Sequence, residues 1–314
     1  MWLYLAALLG LYFLRRWYQE RQTVENLTEK YVFITGCDSG FGNLLARQLE
    51  ARGLRVLAAC LTQKGAEQLE KVTSERLKTT ILDVTSTESV AAATEWVKEQ
   101  AGSKGLWGLV NNAGTAVPSG PNEWLTRDDF AKVIDVNLLG MIDVTLHMLP
   151  LVRRARGRVV NVSSTNGRLA CFGGGYCPSK FGVEAFSDSL RLELHPFGVQ
   201  VSIIEPGIFQ TSIRTRALEE LKKVWNRVPS DIKDVYGEQY LENFCKLVQD
   251  ILTSSTKLHL VTDCIEHALT SCYPRTRYSP GWDAKFLHIP ASYFPTSIAD
   301  FVISYFLPKP AQAV

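Results

Sequence analysis

Thr35-Gly36-Cys37-Asp38-Ser39-Gly40-Phe41-Gly42 follows without a break on the apolar run Tyr31–Thr35 (YVFIT) and leads into a helical pattern over residues 43–52. Glycine permits tight turns and lets the main chain approach a bound group closely. The start of a helix adds unpaired N–H groups and a dipole that favours an anion. The spacing G-x-x-x-G-x-G is a relative of the dinucleotide fingerprint, whose meaning depends on a strand before it and a helix after it. Glycine-rich turns of this kind also arise for packing alone, so the surrounding pattern decides.

That pattern repeats along the chain. Short apolar runs at 31–35, 55–60, 79–82, 108–110, 158–162 and 199–204 alternate with stretches of helical periodicity at 43–52, 65–71, 86–100, 128–153 and 179–194. Strands separated by helices need right-handed crossovers and therefore a parallel sheet. The expectation is an α/β doubly wound parallel sheet, the Rossmann fold, in a single catalytic domain over residues 30–290. From 209 to 280 the alternation gives way to charge-laced helical segments at 215–228, 237–252 and 262–271, expected to form a helical substrate lid over the carboxyl edge of the sheet.

Composition narrows the function. With 34 Lys+Arg against 32 Asp+Glu the net charge is only +2, which speaks against a nucleic-acid partner. The seven cysteines are scattered and form no Cys-x-x-Cys pair, and the five histidines show no metal-ligand spacing, so no metal site is expected. There is no G-x-S-x-G elbow to suggest a hydrolase.

Residues 2–14 (WLYLAALLGLYFL) are uninterruptedly apolar, and Arg15, Arg16 and Arg21 follow at once. With Trp17 and Tyr18 as interfacial aromatics the stretch approaches spanning length, and residues 1–18 are expected to be an N-terminal hydrophobic membrane anchor. A cleaved signal peptide is the competing reading, but it lacks the positive leader and the small-residue cleavage site. The positive flank keeps the body on the cytosolic side. Of two glycosylation sequons, Asn26 would report topology and Asn161 falls inside a strand pattern. Residues 291–314 contain a second apolar stretch, 298–307 (IADFVISYFL), either a packed terminal helix or a second membrane-resting surface.

Chemistry-bearing residues gather where strands end. Tyr176 and Lys180 stand four apart at the start of a helix, so they share one face. A phenol titrates near pH 10 in water, and a neighbouring ammonium lowers that value towards use as an acid/base. Ser164, just past the run 158–162, has a hydroxyl able to hold an alcohol or carbonyl oxygen; Ser163 beside it competes for the role. Asn111-Asn112-Ala113-Gly114 follows the fourth run, and Asn137 lies inside a long helix, where an amide needs a reason. The second run ends Ala58-Ala59-Cys60-Leu61-Thr62, with neither the acid that commonly holds an NAD ribose nor an arginine for a 2′-phosphate. Lys64 is the one nearby cation, and Asp38 would repel a phosphate, so NAD is expected over NADP.

In this order the motifs TGxxxGxG, NNAG, mid-helix Asn, Ser, YxxxK and Pro206-Gly207 with Thr211 resemble the short-chain dehydrogenases/reductases over about residues 30–212. The resemblance implies Tyr176 as proton acceptor and Lys180 as the group that tunes it and holds the nicotinamide ribose. It implies Ser164 as the holder of the substrate oxygen and Asn137 as a link from Lys180 to a water relay. Thr35, Gly36, Ser39, Gly40, Phe41 and Gly42 would cradle the pyrophosphate, Asp83 would meet adenine, and Thr211 the carboxamide. Asn111, Ala113, Gly114, Pro206 and Gly207 would complete the cofactor site. The apolar start, TGCDSGFG, RVLAACLT, NVSSTNGR, GGGYCPSKFG, EPGIF and RYSPGWDAK are together similar to the microsomal retinol and hydroxysteroid dehydrogenases. That branch implies NAD-dependent oxidation of retinols or 3α- and 17β-hydroxysteroids at the endoplasmic reticulum membrane. A homodimer through the helices at 128–153 and 179–194 would fit. Two other readings remain beside it, an NADPH-dependent ketone or retinal reductase and an idle dinucleotide- or lipid-binding scaffold.

Overall fold

Seven parallel strands pair in the order β3-β2-β1-β4-β5-β6-β7. They are β1 Tyr31–Thr35, β2 Arg55–Cys60, β3 Leu77–Ile81, β4 Gly108–Asn111, β5 Arg158–Val162, β6 Gln200–Ile204 and β7 Arg277–Tyr278. The computed structural model describes residues 2–210, 217–252 and 255–313. The order reverses between β1 and β4, the point where a doubly wound sheet opens a ligand crevice at its carboxyl edge. β7, only two residues long, extends the sheet beyond the six runs anticipated, too short to show a period in sequence.

Alternation along each strand splits the core into two layers. Val32, Ile34, Val56, Ala58, Val110 and Val160 face helix α2 (Gly40–Ala51) and the helix His259–Thr270. Phe33, Leu57, Ala59, Leu109, Val159 and Val201 face α4 (Thr87–Ala101), α6 (Gly140–Ala155) and α7 (Tyr176–Leu194). Between α2 and α4 lies α3 (Gln63–Glu70), capped by the Thr62 hydroxyl, which accepts the Gly65 N–H at 3.0 Å.

The helix expected over 128–153 is in fact α5 (Arg127–Ile134), one wide π turn Asp135–Leu139, and α6. Such turns are rare inside helices and gather at functional sites. Asn137 sits in the middle of this one.

The stretch 209–280 divides in two. Ala217–Arg227, Ser230–Tyr236 and Glu238–Leu252 form a separate helical cap with its own small core of Trp124, Leu221, Val224, Trp225, Val228 and Phe244. Trp124 and Trp225 meet with ring centres 4.6 Å apart. His259–Thr270, by contrast, buries Val261, Ile265, Ala268 and Leu269 in the main core and is a layer of the sheet domain.

At the amino end, α1 (Trp2–Glu20) leaves its apolar side chains exposed, Leu8 and Leu14 among them. Its last turn is fastened to the body. The Glu20 carboxylate takes two bonds from Arg275, at 2.7 and 2.5 Å, and one from Arg16 at 2.9 Å. Asn161 is fully buried, its amide spent on Ser187 at 2.8 Å and its oxygen on Asn111, which leaves no room for a glycan. All seven cysteines are free thiols.

Candidate active site

The glycine loop is shaped by what lies beneath it. Gly36 and Gly40 take left-handed backbone, φ +71° and +64°. A Cβ on Gly36 would come within 2.8 Å of the Ala113 Cα, and one on Gly42 would strike the Gly36 carbonyl oxygen. Thr35 Oγ1 accepts the N–H groups of Asn112 and Ala113, both at 3.0 Å. Asn112 returns the tie, its amide donating to the carbonyls of Thr35 and Gly36 at 2.9 and 3.0 Å. The adjacent Asn111 points the other way, its amide donating to Thr145 and Asn161 inside the domain, so its side chain faces the interior and not the crevice. Asn112 was absent from the candidate residues; the period-two alternation of a strand is the clue that would have separated the pair. Ser39, in extended backbone, begins α2, and Phe41 packs edge-on to Phe209 with ring centres 5.8 Å apart.

Asp38 occupies the end of β2. Its carboxylate accepts the N–H of Leu61 at 2.7 Å, the N–H of Thr62 at 3.0 Å and the Thr62 hydroxyl at 2.6 Å. A carboxylate from the glycine loop thus sits at the end of β2. Asp83, exposed beyond β3, accepts the N–H and hydroxyl of Thr85 at 2.9 and 2.7 Å.

β5 delivers the two serines to opposite sides. Ser163 turns its hydroxyl to the Lys180 carbonyl at 3.5 Å, towards α7. Ser164 accepts the Asn166 N–H at 3.1 Å and is buried at the mouth of the crevice. Tyr176 is the first residue of α7, half-buried, and Lys180 lies one turn on, wholly enclosed. The Lys180 Nζ donates to the Val162 carbonyl at 2.8 Å and stands 5.7 Å from the centre of the Tyr176 ring. Burial pushes its ammonium down to about 8, with the Glu184 carboxylate opposing.

Asn137 is spent on other partners. Its oxygen accepts the Thr115 N–H at 2.7 Å, and its amide donates to the Thr115 carbonyl at 2.8 Å and to Ser179 Oγ at 3.0 Å. It therefore clamps the segment after Gly114 to α7 immediately beside Lys180.

Pro206 and Gly207 close the crevice after β6. Asp283 holds them, accepting the Ile208 N–H at 2.5 Å, and a Cβ on Gly207 would collide with that carboxylate. Asp283 was not foreseen; only its place in RYSPGWDAK marked it. Thr211 lies outside the described residues.

The sequence model for "short chain dehydrogenase" matches residues 30–222. The chain belongs to the short-chain dehydrogenase family. It is 63% identical to the human protein named 17-beta-hydroxysteroid dehydrogenase type 6 and 62% identical to rat retinol dehydrogenase 7. Human retinol dehydrogenase 16 is 61% identical, and each alignment covers 100% of both chains. Among solved structures, a short-chain dehydrogenase from Streptomyces avermitilis is 26% identical with a TM-score of 0.68, covering 88% of this chain and 94% of that one. Levodione reductase is 25% identical with a TM-score of 0.58, covering 73% and 92%.

The protein is thus an oxidoreductase whose fold serves a nicotinamide dinucleotide. The residues present fit that group. Gly36 and Gly40 take the left-handed backbone that turns the loop onto the start of α2, and the close packing at Gly36 and Gly42 leaves no room for a side chain. A helix begins with N–H groups that have no partner within it, suited to a phosphate.

Proposed function

We propose that this short-chain dehydrogenase oxidises lipophilic alcohols, retinol and 3α- or 17β-hydroxysteroids, with NAD, through Ser164, Tyr176 and Lys180. The observation that carries the reading is the wholly buried Lys180 amine beside the Tyr176 ring, one strand end away from Ser164. The substrate class rests on full-length identity to proteins named for retinol and 17β-hydroxysteroid oxidation.

Bound dinucleotide supplies a hydride acceptor at its nicotinamide ring. The chain's own residues do the rest. Ser164, oriented by the Asn166 N–H it accepts, donates its hydroxyl to the alcohol oxygen. Tyr176 as phenolate takes the hydroxyl proton while hydride leaves the carbinol carbon, so the C–O bond becomes a carbonyl. Lys180, as ammonium, stabilises the phenolate and would hold the nicotinamide ribose of the bound group. Asn137 keeps Thr115 and Ser179 in place around it. Gly36, Gly40 and Gly42 would receive the pyrophosphate, with Thr35 and Asn112 fixing the loop. Asp38, at the end of β2, would hold the adenosine ribose, where a carboxylate would bond hydroxyls and repel a 2′-phosphate; this supports NAD over NADP.

The exposed apolar side chains of α1, Leu8 and Leu14 among them, with Arg15, Arg16 and Arg21 after the apolar run 2–14, support residues 1–18 as an anchor in the endoplasmic reticulum membrane with the body towards the cytosol. The terminal segment also exposes large side chains, Tyr293, Phe301 and Tyr305 among them, and its helix Thr296–Phe306 is about 16 Å long, too short to span. It suits the membrane surface, where retinoids and steroids partition. Exposed Leu139 at the end of the π turn, Leu146 of α6, and Phe181 and Leu192 of α7 offer a face for a homodimer.

Steady-state rates with NAD+, NADP+, NADH and NADPH, with all-trans-retinol competing against a 3α-hydroxysteroid, test the reading. Faster turnover with NAD+ and either alcohol is expected. Turnover confined to NADPH and a ketone would overturn it.

A further inference from the structure

Helix α7 carries a second buried charge that the chemistry above leaves unused. Glu184 lies one turn beyond Lys180 and is 6% exposed. Its Oε2 accepts from Nε and Nη2 of Arg277 at 3.3 and 3.1 Å. The same guanidinium reaches Asp188 at 2.7 Å and Glu205 at 3.3 Å. Glu205, 1% exposed, also accepts from Arg168 at 3.1 Å and from Ser279 at 2.9 Å. Arg277 opens β7, Glu205 follows β6 directly before Pro206-Gly207, and Arg168 closes the turn that begins at Ser164. One chain of ion pairs therefore runs from α7 through both loops that complete the site.

Stability is a poor reason for such a chain. Buried ion pairs pay heavily in desolvation, and well-packed apolar residues often serve as well or better. Its position suggests a different use.

The charges around Lys180 can be taken element by element. On α7 itself are Glu184 and the Tyr176 phenol. The turn after β5 brings Arg168, which is engaged with Glu205 and Tyr293. β6 and β7 bring Glu205 and Arg277, paired with each other. Asp129 of α5 is taken by Arg227 of the cap, Asp135 of the π turn is exposed, and His195 beyond α7 is exposed. Asp188 is shared by Arg277 and Arg191. Glu184 is the carboxylate among these that Lys180 senses, and it opposes the effect of burial on the amine. Burial also pushes Glu184 up, against which the Ser163 hydroxyl and the Arg277 guanidinium work.

We propose that Glu184, held by Arg277, is a positioning residue for the Tyr176–Lys180 pair: it supplies the counter-charge that keeps Lys180 an ammonium and fixes α7 against the ends of β6 and β7. The proposal rests on the active-site reading given above. Glu184→Gln keeps the shape and removes the charge, so Lys180 loses its proton at lower pH. The alkaline limb of the kcat/KM profile should move down by about one pH unit. Glu184→Asp should recover much of that shift, which a merely structural role would not produce. Should Glu184→Gln fail to fold, Glu184→Asp, which keeps the charge but draws it back by one methylene, should itself move the limb the same way by less. A limb that superposes on the wild type in whichever folded variant is measured overturns the proposal. Tyr176→Phe run in parallel separates the two failures. If that variant turns over, the active-site reading itself is lost; if it is dead and the limb is unmoved, only the role of Glu184 is lost.

Discussion

The Lys180 Nζ lies 5.7 Å from the centre of the Tyr176 ring while donating to the Val162 carbonyl at 2.8 Å. A main-chain oxygen thus fixes the amine without neutralising it, and the nearest carboxylate side chain along the helix is a full turn away.

A pH dependence follows from that burial. Lys180 is pushed down to about 8, so the amine is a cation below that pH and neutral above it. A neutral amine no longer stabilises the Tyr176 phenolate, and kcat/KM is expected to fall as pH rises through about 8. Lys180→Met should remove that limb and lower kcat/KM at pH 7 by about 10²-fold or more. A wild-type profile flat from pH 7 to 10 would contradict this.

Asp38 is expected to set the cofactor preference. Asp38→Asn keeps one oxygen for the Thr62 N–H and hydroxyl, gives up the second oxygen that takes the Leu61 N–H, and removes the charge. The ratio of kcat/KM for NAD+ over NADP+ should drop by about tenfold or more, since a 2′-phosphate no longer meets a carboxylate. An unchanged ratio in the folded variant would remove Asp38 from the ribose site.

The two serines should separate cleanly. Ser164→Ala is expected to lower kcat by about 10²–10³-fold with little change in thermal midpoint, the size typical for losing one donor to a reacting oxygen. Ser163→Ala, whose hydroxyl faces α7, should keep activity within a few-fold. Equal losses from both would deny Ser164 its role.

At the other end of the chain, Glu20 fastens α1 to the body. Arg275 draws its carboxyl down to about 2, below its ordinary 4.5, against the cost of burial. A depressed acid contributes stability above its unfolded value and loses it as pH falls. Attachment of α1 should therefore weaken between about pH 4.5 and 2, and Glu20→Gln should weaken it at neutral pH by about 1 kcal/mol. Limited proteolysis at the α1–body junction is the readout. Equal cleavage rates for the two proteins would show the pair to be idle.

Much of this was legible in sequence. β1, β2 and β5 fall where their apolar runs lie, because strands covered on both faces read as continuous hydrophobic stretches. Tyr176 and Lys180 share the start of α7, the Nζ 5.7 Å from the ring centre, as four-residue spacing on a helix implies. What sequence concealed was set by tertiary contact. Asp38 reaches the end of β2 from another loop, a contact that the sequence of β2 does not show. The π turn at Asn137 has no local signature, since residues 128–153 keep a nearly unbroken helical period. Two-residue β7 is held by pairing with β6, and the helix His259–Thr270 has the period of a cap helix although its apolar face is covered by the main core.

The central claim is that Tyr176 takes the alcohol proton, and Tyr176→Phe tests it most directly. Removing one oxygen leaves the ring, the start of α7 and the glycine cradle in place. Turnover of all-trans-retinol or a 3α-hydroxysteroid with NAD+ should fall by about 10³-fold or more, while NAD+ binding, followed by fluorescence quenching, stays within about threefold. Turnover within tenfold of the wild type would contradict the account.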